Sequence, residues 1–128
     1  QEFQPELLGT IPLSDKTLTA IRTALRDVST DAGTAGYIFN GFPVPIASKT
    51  STVENPHGDD HGWFVAYGPY DNPTIAVAVI VEQGGYGSDS AAPIARKIME
   101  AAFHLPPSKD AADLYAEERA AKQDAGKK

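Results

Sequence analysis

Apolar residues return at helical spacing in one early stretch. Leu18, Ile21, Leu25 and Val28 fall on one side of a 3.6-residue period. Ser14 stands before them as an N-cap, and Asp15 puts negative charge in the first turn, where the helix dipole favours it. The pattern predicts an amphipathic helix over 15–29. Residues 1–13 carry Pro5 and Pro12, which forbid a regular helix, so this arm is predicted to be extended. After the helix come a glycine-rich loop, "DAGTAG", and an irregular stretch, "YIFNGFPVP", punctuated by Pro43 and Pro45. The period then changes. The β-branched run from Ile46 to Glu54 predicts a strand, "WFVAYGPY" a second and "TIAVAVIVE" a third. The turn chemistry of "NPHGDDHG" and "DNP" separates them. Closely spaced strands with short connections predict an antiparallel meander.

The third strand is apolar on both faces. Ile75, Val77, Val79 and Val81 alternate with Ala76, Ala78 and Ile80, which predicts a central strand covered on both sides. The two helices are expected to cover one side, and a segment outside this sequence the other. "QGGYGSDS" ends the sheet. A last helix, capped by Ser90 or Asp89, is expected to run through Phe103, with Ile94, Ile98 and Ala102 as its apolar stripe. Arg96 and Lys97 fall on its polar side, in a solubilising role. Residues 105–128 form a charged, alanine-rich tail, either a frayed helix or disordered. The fold class is α/β (α+β): an antiparallel sheet flanked by N- and C-terminal helices. No internal repeat occurs.

Composition narrows the function classes. The 128 residues suffice for one domain with a modest core. A net charge of -6 and a pI of about 4.9 give no electrostatic footprint for nucleic acid. The longest apolar run, Ile75 to Val81, is strand-sized rather than membrane-spanning. The absence of cysteine removes disulfide scaffolds, thiol catalysis and cysteine zinc sites together. Nothing in the sequence points to a cofactor. The chain begins at Gln1 with no signal-like segment, and it is expected to be a piece of something longer.

Candidate chemistry centres on "IASKTSTVE", where Lys49 is the lone cation among Ser48, Thr50, Ser51 and Thr52. Such a run is either a solvated edge strand or a lysine aimed at an anion. His57, Asp59, Asp60 and His61 could hold a metal. They are more simply turn and capping residues, since two histidines four apart without a helix make a poor zinc geometry. "GGYG" at 84–87 could cradle a phosphate, but no Lys-Ser/Thr follows it, and strand-to-helix punctuation suffices. Trp63, Phe64 and Tyr67 read as core or sheet-face aromatics.

Lys-Thr-Gly on a strand is the third motif of the penicillin-recognising serine enzymes, beside Ser-x-x-Lys and Ser-x-Asn. Here Lys49-Thr50-Ser51 precedes "ENPHGDDHGWFVAYGPYDNPTIAVAVIVEQGG" and the helix "SAAPIARKIMEAAF". With "PELLGTIPLSDKTLTAIRTALRDV" and "GTAGYIF" upstream, residues 1–104 resemble the C-terminal part of the transpeptidase domain of class B penicillin-binding proteins, the elongation type in particular. The resemblance implies the corresponding portion of a penicillin-binding/β-lactamase-like transpeptidase fold. It also implies a serine acyl-enzyme that cross-links peptidoglycan stem peptides ending in D-Ala-D-Ala and is acylated by β-lactam antibiotics. Lys49 would serve the proton-relay serine and attract the substrate carboxylate. Thr50, Ser51 and Thr52 would line that carboxylate's site, and the Thr52 backbone N–H would donate to the oxyanion. The remainder of the domain, carrying Ser-x-x-Lys and Ser-x-Asn, is the implied partner, because neither motif occurs in these 128 residues. Tyr70-Asp71-Asn72 mimics a Tyr-x-Asn version of the second motif, but it follows the lysine strand and sits in a turn. The resemblance further implies an extracytoplasmic domain of a membrane-anchored parent.

Three positions depart from the family. Ser51 replaces the motif glycine, Ser48 stands where glycine usually precedes the lysine, and Val53 replaces a usual alanine. Alternation puts Ser51 on the Lys49 face, where glycine lets the backbone approach the nucleophile. Slowed chemistry is therefore expected. The alternative function is a non-catalytic, degenerate module acting as a scaffold or interaction domain.

Overall fold

The computed structural model describes residue 4 and residues 6–108. The tail expected over 105–128 lies, beyond Ser108, outside the described residues. Ser14 caps the first helix as its position predicts. Its Oγ accepts the backbone N–H of Thr17 at 3.1 Å, and α1 runs over Asp15–Asp27. Removing that acceptor leaves a first-turn N–H without its partner, so Ser14→Ala is expected to cost about 1 kcal/mol. A lowered urea midpoint with an unchanged slope is the measurement that checks it.

"YIF" is more ordered than its proline-punctuated surroundings predict. Gly36–Phe39 form a one-turn helix, α2, whose Ile38 and Phe39 are buried. The Phe39 ring stacks on Phe64 at 5.6 Å between centroids. Tertiary packing, rather than local propensity, makes this turn.

The three strands are β1 (Ala47–Val53), β2 (His61–Gly68) and β3 (Ile75–Val81). They form the expected antiparallel meander in the order β1-β2-β3. The register pairs Thr50 with Phe64 and Phe64 with Val79. Residues directly opposite in a ladder share a face. One face therefore carries Ser48, Thr50 and Thr52 with Phe64, Ala66, Val77 and Val79. The other carries Lys49 and Ser51 with Trp63, Val65, Ala78 and Ile80.

Helix α3, Gly87–Ala102, covers the first face. Its Ala91, Ala92, Ala95 and Met99 pack with Phe64, Ile38 and Ile46 in the core. This overturns the stripe expected for α3, since Ile94 and Ile98 are 45% and 41% exposed and Ala102 is exposed as well. The buried side is instead lined by alanines, which let the helix lie close to the sheet. The helix also begins before Asp89 and Ser90. Tyr86 is its N-cap residue, without a side-chain bond, and the Ser90 hydroxyl donates back to the Tyr86 carbonyl at 3.0 Å. Gly87 permits that early start. A Cβ there would drive into the backbone carbonyls of Trp63 and Ser51, so only glycine lets the helix N-terminus rest on β1 and β2.

Three further expectations are corrected. β3 is not central among the described residues; β2 is, and β3 is an edge. One face of β3 meets α3, while Ala76, Ala78 and Ile80 on the other are exposed. The helices also divide between the faces rather than sharing one. Leu25 of α1 borders an apolar hollow of about 360 Å³ with Ala47, Val65, Tyr67, Ala76 and Ala78. Arg96 is likewise not a solubilising residue. It is buried and paired with Glu100 at 2.8 Å, and its guanidinium also donates to the carbonyls of Ile38 and Asn40. It thereby ties α3 to the turn that leads into β1.

Candidate functional site

The site is the free edge of β1. Strand pairing to β2 fixes one side of β1, and the other side has no strand neighbour among the described residues. Lys49 is exposed on it and, among the described residues, takes part in no ion pair. Its ammonium donates to the neighbouring Thr50 carbonyl at 2.5 Å. A carbonyl that meets a side-chain donor in this way lies toward the open edge. In a strand the N–H and C=O of one residue, and of the residue two places on, point to the same side. The Thr52 N–H thus shares the outward direction of the Thr50 carbonyl.

Alternation separates the hydroxyls. Ser51 shares the Lys49 face, opposite Trp63 across the ladder, and both Ser51 and Trp63 are exposed. Thr50 and Thr52 lie on the reverse face. The Thr50 hydroxyl is bonded to that of Thr34 at 3.0 Å. Ser48 is 2% exposed and its Oγ lies 2.5 Å from Ser29 Oγ. Among the described residues the edge therefore offers a cation outside any ion pair, an outward backbone N–H and flanking hydroxyls. That set can hold an anionic group and a developing oxyanion; among the described residues none of its hydroxyls is bonded to a side-chain base.

Ser29 and Thr34 are the residues that sequence reasoning missed. They lie 19 and 16 positions before their partners. The one available signal was that a hydroxyl-bearing loop precedes a hydroxyl-bearing strand.

The other candidates resolve into structure. The Asn55 side chain accepts the backbone N–H of His57 at 3.1 Å, closing a turn. His61 Nδ1 accepts the backbone N–H of Gln83 at 3.0 Å. Among the described residues, no three His, Cys, Asp or Glu side chains gather as metal ligands do. Gly84 and Gly85 belong to the strand-to-helix loop, with Gly85 at φ 69°. Phe64 is in the core, whereas Trp63 is 37% exposed. The apolar hollow beside Val65 is lined by no acid, base or nucleophile other than the buried Ser48 and the Tyr67 phenol. No helix among the described residues is long and apolar enough to cross a membrane.

Residues 2–100 match the family profile described as the penicillin binding protein transpeptidase domain. The chain is 61% identical over 41 residues to peptidoglycan D,D-transpeptidase MrdA of Haemophilus influenzae, a match covering 32% of this chain and 6% of that protein. It is 41% identical over 99 residues to peptidoglycan D,D-transpeptidase PbpA of Mycolicibacterium smegmatis, covering 68% and 18%. Among solved structures, penicillin-binding protein 2 of Pseudomonas aeruginosa, in complex with WCK 5153, superposes with a TM-score of 0.68 at 35% identity, over 78% of this chain and 23% of the other. An imipenem acyl-enzyme complex of penicillin-binding protein A from Mycobacterium tuberculosis gives 0.58 at 34% identity, over 71% and 20%. This chain thus spans less than a fifth of the length of those two curated relatives.

Proposed function

This chain belongs to the penicillin-binding protein transpeptidase family, and from that premise we propose that it forms the C-terminal part of a peptidoglycan D,D-transpeptidase domain. In this reading Lys49 holds the C-terminal carboxylate of a stem peptide ending in D-Ala-D-Ala, or the carboxylate of a β-lactam. The Thr52 backbone N–H is one of two oxyanion donors. The nucleophilic serine of a Ser-x-x-Lys motif and a Ser-x-Asn serine belong to another segment of the same parent. The Ser-x-x-Lys serine attacks the carbonyl between the two D-alanines and expels the terminal D-alanine. The resulting ester is then resolved by an amine from a second stem peptide. The parent is proposed to be membrane-anchored, with this domain outside the cytoplasm.

The observation that carries the reading is Lys49, an exposed ammonium on the edge of β1 that has, among the described residues, neither an ion-pair partner nor a strand neighbour on that side. A carboxylate docked there gains a charge-assisted bond. The test is covalent labelling by a fluorescent penicillin of a polypeptide joining this chain to the Ser-x-x-Lys and Ser-x-Asn segments. Stoichiometric labelling that unlabelled penicillin blocks supports the reading; no labelling sinks it.

One observation favours the second reading, a non-catalytic module. Ser51 puts a hydroxymethyl on the Lys49 face, where the reacting serine must approach. A misplacement of about 1 Å can cost on the order of a hundredfold in rate. Ser51→Gly is therefore expected to accelerate labelling by roughly tenfold or more. Equal rates for the two proteins would mean that the serine is tolerated.

A further inference from the structure

Lys49 is held from behind. Ser48 and Thr50 flank it on the reverse face of β1, and each is bonded through its hydroxyl to the segment between α1 and α2. The two pairs differ in kind. Thr34 is exposed, so water can replace its bond to Thr50. Ser29 and Ser48 are 6% and 2% exposed, and their oxygens are 2.5 Å apart. A buried hydroxyl that loses its partner has no water to turn to, so this pair resists separation.

The mount on which Ser29 sits is stiff. The Ser29 and Thr30 backbone N–H groups donate to the carbonyls of Arg26 and Asp27, both at 3.1 Å, and the Ala35 N–H donates to the Val28 carbonyl at 2.9 Å. The end of α1 and the following loop therefore form one closed backbone unit. Ser29 Oγ projects from that unit into the strand residue immediately before the lysine. A glycine, usual at position 48 in the resembled family, could make no such bond. The serine there is partnered, which distinguishes it from a mere enlargement.

We propose that the buried Ser29–Ser48 hydroxyl pair sets the position of β1 at Lys49, making Ser29 a positioning residue for carboxylate recognition. The role rests on the transpeptidase reading. Ser29 touches no substrate; it acts through Ser48 on the backbone that carries the ammonium.

The test compares a penicillin with its methyl ester, which lacks the carboxylate, in the polypeptide that also carries the Ser-x-x-Lys and Ser-x-Asn segments. The variants are Ser29→Ala, Ser48→Ala, the double variant, and Ser29→Thr, which retains a hydroxyl. Acylation rates are measured for both probes, with the melting temperature of each protein alongside. Each alanine variant is expected to lower the acid-to-ester rate ratio by roughly tenfold, as a displaced ammonium should. The double variant should do no worse than the poorer single one, because the two changes remove the same interaction, and Ser29→Thr should restore most of the ratio. A purely structural bond would lower the melting temperature and slow both probes equally. An unchanged ratio in the alanine variants, or additive losses in the double variant, overturns the positioning role while leaving the transpeptidase reading intact. An unlabelled wild-type protein overturns that reading, and this role with it.

Discussion

Lys49→Ala is expected to slow penicillin acylation by a hundredfold to a thousandfold in a polypeptide carrying the complete set of motifs. The estimate follows from what the ammonium faces. In the proposed complete site it would meet a carboxylate shielded from bulk water, and truncating one partner of such a charge pair costs roughly 2–5 kcal/mol. The second task proposed for it, holding the relay serine, would act on the transition state as an oxyanion donor does, where one lost donor is worth on the order of a hundredfold or more in rate. Lys49→Arg should recover little, because a planar fork cannot replace a compact point charge that serves two directions at once. The dependence of labelling rate on penicillin concentration separates the two tasks: the half-saturating concentration reports the carboxylate, and the limiting rate reports the relay. A limiting rate within threefold of wild type would remove Lys49 from the chemistry.

Arg96→Met is expected to destabilise the fold by about 3 kcal/mol at neutral pH, since removing one partner of a buried ion pair leaves the other charge uncompensated. Met keeps the aliphatic stem but loses the bonds to Glu100, to the Ile38 and Asn40 carbonyls and the stacking on Phe42 at 5.6 Å. Acidity gives the prediction a second dimension. Burial by itself pushes the Glu100 carboxyl up. The Arg96 bond, the Ser108 bonds and the Arg96 charge outweigh it and hold the group below its ordinary 4.5. A carboxylate depressed in the folded state stabilises that state above the unfolded pKa, and the contribution disappears as pH falls through the folded value. In the variant only burial and Ser108 act on Glu100, so that contribution shrinks or changes sign. The stability gap between wild type and Arg96→Met should therefore be wide at neutral pH and should narrow below 4.5. Urea denaturation at both acidities measures it. A gap of constant size would mean that the guanidinium acts through its carbonyl bonds alone.

The helix from Asp15 and the three strands were legible because each rests on a period and on local punctuation: Ser14 before the first, "NPHGDDHG" and "DNP" between the others. The inner side of α3 was not. Its contact surface is built from Ala91, Ala92 and Ala95, which carry little hydrophobic signal, while the stronger residues Ile94 and Ile98 point outward. The same flat, small surface leaves room for Arg96, whose burial is decided by carbonyls 56 and 58 positions away. α2 was hidden for a related reason: Ile38 and Phe39 coil because the core accepts them. β3 is an edge among the described residues, and its exposed Ala76, Ala78 and Ile80 fit the side whose cover was expected from outside this sequence. At the candidate site the lone lysine stood out by composition. Which hydroxyl faces which way followed from alternation, but Ser29 and Thr34 are long-range partners and no local pattern announces them.

The meander also has a kinetic consequence. Every strand pairs with the strand next to it in sequence, across the segments 54–60 and 69–74, and α3 then folds back on the sheet, chiefly on β2 and β3. Each strand closure therefore spans a short loop whose entropic cost is small. β1, β2, β3 and α3 can pair through these short closures, whereas the core they share with Ile38 and Phe39 is complete only when α2 joins from earlier in the chain. On this account α1 and the Ser29 that follows it would dock onto a strand already in place.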